Sequence, residues 1–143
     1  MHNTSPPWYT RLSPWRHSTR RAAKLKSRQD VAGLEPAVVI TGGSRGIGLA
    51  LARRFLEAGH KTAIVARNAV RLEEASAVLK AETGADVVVI LCDVCEANAM
   101  DVISAALAHS GLYLDVLVNN AGLGLAGPFV DQSEAELSKL IAI

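Results

Sequence analysis

Four short aliphatic runs recur along this chain with helical-looking stretches between them, and that alternation restricts its fold more than any other feature. The runs are AVVIT (Ala37–Thr41), KTAIVA (Lys61–Ala66), DVVVILC (Asp86–Cys92) and LDVLVNN (Leu114–Asn120). Unbroken Val and Ile of this length suits strands buried on both faces. After the first run, Ile47, Leu51, Phe55 and Ala58 predict one apolar helical stripe, ended by Gly59. Leu72, Ala75 and Leu79 predict a second helix that stops near Gly84, and Met100, Ile103 and Leu107 predict a third. The closing SEAELSKLIAI opens with Ser133 and carries Glu136 three residues on, a capping box that starts a fourth helix. Half of the residues are hydrophobic and only 4% are aromatic, so the core of such a fold is aliphatic. Strands separated by helices and short connections imply right-handed crossovers and a parallel α/β sheet.

The junction between the first strand and the first helix reads TGGSRGIG, Thr41–Gly48. A helix N-terminus presents unpaired N–H groups and partial positive charge, which attract phosphate. A pyrophosphate can approach only if the backbone turns tightly and carries no side chain at the contact. Gly42, Gly46 and Gly48 meet that need. The predicted architecture is therefore half of a Rossmann-type, doubly wound dinucleotide-binding fold with strand order 3-2-1-4. Other nucleotide sites fit less well. An NTPase loop requires a Lys-Ser or Lys-Thr pair after its glycines, and none is present. A methyltransferase would want an acidic residue after the second strand, where the sequence reads VAR.

Net charge divides the chain. Met1 to Gln29 holds seven basic residues and no acid, whereas the remainder holds eight basic and fourteen acidic residues. We therefore divide the chain into a basic, Pro- and Ser-rich extension over residues 1–34 and a mildly acidic nucleotide-binding domain over 35–143. The extension reads as a disordered tail, as an organellar transit peptide or as a basic arm. Pro6, Pro7 and Pro14 interrupt any early amphipathic helix. The composition does not suit a nucleic-acid-binding domain, and no apolar run reaches the ~18 residues of a membrane helix. The expected setting is cytoplasmic, with organellar import left open. Cys92 and Cys95 form one CxxC with no second ligand pair, so a zinc site is not expected and two reduced thiols are.

These motifs together resemble the short-chain dehydrogenase/reductase family. TGGSRGIG is similar to its TGxxxGxG loop, NNAG (Asn119–Gly122) to its motif at the end of the fourth strand, and Asp93 to its aspartate directly after the third. The resemblance covers roughly residues 36 to 143. It implies cofactor contacts from Thr41, Gly42, Ser44, Arg45, Gly46, Ile47 and Gly48 in the loop. It implies an adenine hydrogen bond from Asp93, and a pocket wall from Asn119, Asn120, Ala121 and Gly122. The position that carries an NAD-binding carboxylate is occupied by Ala66, with Arg67 following. A guanidinium there, with Arg45 beside it, suits the 2′-phosphate of NADP, so NADPH is the expected cofactor.

The family also implies hydride transfer between nicotinamide and a small-molecule carbonyl or secondary alcohol, and a homo-oligomeric full-length form. Its chemistry rests on a Ser and a Tyr followed four residues later by Lys. The only tyrosines here, Tyr9 and Tyr113, are followed at that distance by Ser13 and Leu117. The expectation is a fragment without catalytic residues, inactive alone. A non-catalytic NADPH-binding module or a non-functional gene fragment are the alternatives.

Overall fold

The computed structural model describes residues 32–124 and 127–141, so the expectations for the basic extension lie outside the described residues. The chain runs β1 (Glu35–Thr41), α1 (Gly46–Glu57), β2 (Lys61–Ala66), α2 (Ala69–Thr83), β3 (Val88–Leu91), α3 (Ala99–His109) and β4 (Leu112–Val118). A single 3-10 turn, Phe129–Asp131, and α4 (Glu134–Ile141) follow. All strand pairs are parallel and the order is β3-β2-β1-β4, as the alternation of elements predicts. The outer strands differ from expectation at their ends. β3 is trimmed to four residues, and β4 begins two residues early and stops at Val118. Asn119 and Asn120 leave the ladder because Asn120 bonds instead to the end of β1.

The core lies in two layers, one on each sheet face, and β1 feeds both. Ala37 and Val39 face one side, with Ala63, Val65 and Ile90, and pack against Ala99, Ile103 and Leu107 of α3. Val38 and Ile40 face the other side, with Ile64, and pack against Ala52 and Leu56 of α1 and Leu72, Ala75 and Leu79 of α2. Full burial of each Leu or Ile contributes roughly 1.5–3 kcal/mol, which is why such short strands suffice. Asn68 caps α2 by accepting the Arg71 N–H at 2.9 Å, and Gly84 closes it in the left-handed region at φ 71°. The Ser133 capping box is present. The Ser133 N–H donates to Glu136 Oε2 at 2.9 Å, and the Glu136 N–H donates to Ser133 Oγ at 3.3 Å.

Two predicted stripes need correction. In α1 the residues that face the sheet are Gly48, Ala52 and Leu56, while Ile47 is 74% exposed. The stripe is rotated by one position because the helix packs closest at Gly48. A Cβ there would lie 2.4 Å from the Gly42 carbonyl oxygen and 2.6 Å from Asn120 Nδ2. Leu51 and Phe55 pack only at the margin of the core, and Ala58 is exposed. In α3 the buried first-turn residue is Ala99, not Met100, which is half exposed. The α2 stripe is as expected.

Among the described residues β4 pairs only with β1, and Val116 and Leu117 on it are exposed. An apolar strand with one unpaired edge invites intermolecular pairing. Val116→Lys is therefore expected to raise the soluble fraction of the expressed chain, as checked by centrifugation and light scattering. Gly48→Ala tests the helix contact. Alanine is favoured over glycine within a helix by ~1 kcal/mol, but here its methyl group meets backbone. A net loss of about 1–3 kcal/mol is expected from the urea midpoint, and an unchanged or raised midpoint would contradict the packing described.

Candidate functional site

The site is organised by the last residue of β1. Thr41 is 6% exposed, and its hydroxyl donates to the Val118 carbonyl at 3.3 Å. The same oxygen accepts the N–H groups of Asn120 and Ala121, both at 3.0 Å. One donor and two lone pairs are thereby all used. The Asn120 amide returns the tie by donating to the Thr41 carbonyl at 3.0 Å and the Gly42 carbonyl at 3.3 Å. These bonds join the ends of β1 and β4 where the strand order reverses, the place at which open parallel sheets bind ligands. From here the chain turns through Gly42 and Gly43, whose N–H groups donate to the Val65 carbonyl at 2.8 and 3.3 Å.

The loop then enters α1. Arg45 is the N-cap, extended at φ −163°, and its side chain makes no capping bond. No acidic residue stands in the first turn, so the helix N-terminus is left without a protein anion. Gly46 adopts φ 55°, a conformation that a side chain would strain, and the space where its Cβ would be is open. Together with the ends of β2, β3 and β4, this loop encloses a groove of about 540 Å³, within the ordinary range of ligand sites.

Ser44, Arg45, Gly46 and Ile47 line the groove on the α1 side, with Gly42 at its base. Asn120, Ala121 and Gly122 line the β4 side, and Arg67 and Asp93 line the far end beyond β2 and β3. Three of the sequence-predicted residues do not line it. Thr41 and Gly48 are buried behind the loop as its supports. Asn119 lines an adjoining cavity of about 240 Å³ between β4 and α3, beside Thr41, Leu117, Met100 and Ile103, which shares Val94 and Ala121 with the groove.

The far end is charged. Arg67 approaches Asp93 at 3.5 Å, and Asp93 Oδ1 also accepts the Cys95 N–H at 3.0 Å. That backbone hydrogen bond, with help from the guanidinium, lowers the Asp93 pKa below the ordinary carboxylate value despite partial desolvation. Asp93 is thus an ionised acceptor at neutral pH. Cys92 is buried in the α3-side core and also lines the groove, and burial pushes its thiol pKa up. Cys95 is exposed in the turn before α3. Among the described residues no tyrosine lines the groove. Tyr113 pairs with Pro36 at the opposite end of β1.

Sequence reasoning passed over Asn68 and Arg71, which also line the groove. A signal was available for Arg71. A cation in the first turn of a helix stands against the local dipole, and no acid accompanies it there. Gly43 was overlooked as well, since a Cβ on it would lie 2.6 Å from Ile64 Cγ2. Only the three-dimensional contact reveals that need.

Comparison with known proteins agrees with this architecture. Residues 36–143 match the short chain dehydrogenase family. The chain is 37% identical over 106 residues to chlorophyll(ide) b reductase NOL, chloroplastic, of Arabidopsis thaliana, covering 73% of this chain and 30% of that protein. It is 39% identical over 106 residues to 3-dehydrosphinganine reductase TSC10B of the same plant, covering 74% of this chain and 31% of that one. A short-chain dehydrogenase from Sphingobium yanoikuyae, solved in complex with NADPH, superposes with a TM-score of 0.63 at 36% identity, over 75% of this chain and 42% of that one. The chain thus spans about a third of the length of these curated relatives. With a family match over nearly all of the described fold, and the sheet order and glycine loop seen here, the chain belongs to the short-chain dehydrogenase/reductase family of oxidoreductases.

Proposed function

We propose that these residues form the cofactor-binding half of an NADP-preferring oxidoreductase acting on a small-molecule carbonyl or secondary alcohol. The observation that carries this reading is the end of β2. Arg67 stands in the groove there, Ala66 supplies no carboxylate, and Arg45 faces the same groove from the loop. A carboxylate at that point would hold the ribose hydroxyls of NAD and repel an added phosphate. Guanidiniums do the reverse, pairing with phosphate through two parallel hydrogen bonds.

The residues present fit such a dinucleotide. The bare backbone at Gly46 and the acid-free first turn of α1 would hold the pyrophosphate. Ionised Asp93 would accept from the adenine amino group. The Asn120–Gly122 wall leads toward the nicotinamide side, with Thr41 and Gly48 fixing the shape behind it. The Sphingobium neighbour, solved with NADPH, supports the choice of cofactor. A bound nicotinamide supplies or receives the hydride. The accompanying proton would come from a donor such as the family's Tyr–Lys pair, and no tyrosine in this stretch of sequence has Lys four residues on.

Titration with NADPH and NADH tests the cofactor. A preference for NADPH of about tenfold or more is expected, the scale of one or two charge-assisted hydrogen bonds, and Arg67→Asp is expected to reverse it. Equal affinities in the unmodified chain would overturn the assignment. An assay of carbonyl reduction, followed by NADPH absorbance, is expected to show no turnover by these 143 residues alone. Turnover would mean that a proton donor other than a Tyr–Lys pair serves the site.

A further inference from the structure

Four charged side chains line the groove: Arg45, Arg67, Arg71 and Asp93. Three guanidiniums against one carboxylate leave two positive charges in excess. The single carboxylate is already committed to Arg67, at 3.5 Å. Arg45 and Arg71 form no ion pair among the described residues. The uncompensated charge therefore lies on those two side chains rather than on the arginine that closes β2.

Arg71 is also held in place without using its guanidinium. Its backbone N–H is bound by the Asn68 side chain at 2.9 Å, which caps the first turn of α2 where Asn68 and Arg71 line the groove. Glu73 and Glu74 lie just beyond on the same helix, and neither is paired with it. A cation left unpaired at the positive end of a helix, on the wall of a cavity, is an unfavourable arrangement for the protein alone. A phosphate monoester, carrying between one and two negative charges at neutral pH, matches the excess charge of the lining.

Resting on the NADP reading above, we propose that Arg71 is a specificity-determining residue, a third cation that binds the 2′-phosphate together with Arg45 and Arg67. In this arrangement Arg67 is oriented by Asp93, and Arg45 and Arg71 supply the charge that the phosphate neutralises. The ligand class that distinguishes this site is an adenosine bearing a 2′-phosphate, independent of the nicotinamide.

The test uses the 143-residue chain with adenosine 2′,5′-bisphosphate and AMP as probes, titrated against the unmodified protein, Arg71→Gln and Arg71→Lys. The unmodified chain is expected to prefer the bisphosphate. Arg71→Gln is expected to weaken the bisphosphate about tenfold, as the loss of one charge-assisted contact, and to leave AMP within about twofold. Arg71→Lys keeps the charge and loses the planar fork, so its bisphosphate affinity should fall between the two. Arg71 is exposed, and a circular dichroism melt of each variant verifies that the fold is retained. If the unmodified chain binds both probes equally, the NADP reading itself fails. If it prefers the bisphosphate and Arg71→Gln keeps that preference, or loses both probes alike, the role of Arg71 alone is overturned.

Discussion

Everything in this site depends on the tie between Thr41 and Asn120. Parallel strands joined by crossovers have no hairpin to hold their ends together, so β1 and β4 would otherwise part where the ladder stops. The Thr41 hydroxyl uses its proton and both lone pairs across that gap, and the Asn120 amide donates back to two carbonyls. A buried hydroxyl with all of its capacity satisfied has its desolvation cost offset and is held in one orientation. The glycine loop leaves β1 in a set direction for that reason, and Gly48 can pack against Gly42 and Asn120 closely enough to exclude a methyl group.

The second constraint is electrostatic. Neither α1 nor α2 has an acidic residue in its first turn, and both turn that end toward the same groove. Soluble helices usually place Asp or Glu there, to offset the exposed N–H groups. Withholding acids from two adjacent N-termini, and setting arginines beside them, leaves positive potential in the groove. Asp93 does not cancel it, because its carboxylate is shared between Arg67 and the Cys95 N–H.

Much of this was legible in the sequence, and the misses share a cause. The strand order, the whole of β2 and the buried face of α2 follow from runs of Val and Ile and from Leu72, Ala75 and Leu79. Periodicity counts side chains that are present. It therefore read Ile47 and Met100 as core, where the closest packing belongs to Gly48 and Ala99. The groove followed from the glycine spacing, NNAG and Arg67. Arg71 was hidden because a basic residue on a helix ordinarily reads as solvated surface, and Gly43 because its need is a contact with Ile64 on another strand. Asn119 shows the opposite limit. Asn119 lines the smaller cavity, Asn120 the groove and Ala121 both, a division that the motif itself does not reveal.

The exposed position of Ile47 has a wider meaning. Gly48 turns inward where only an absent side chain fits, and Ile47, a quarter-turn or so away on the helix, is exposed and lines the groove. The residue that lines the groove thus sits next to the one that has no side chain. Within two consecutive residues the loop thus holds one position that packs against the sheet end and one that forms groove wall.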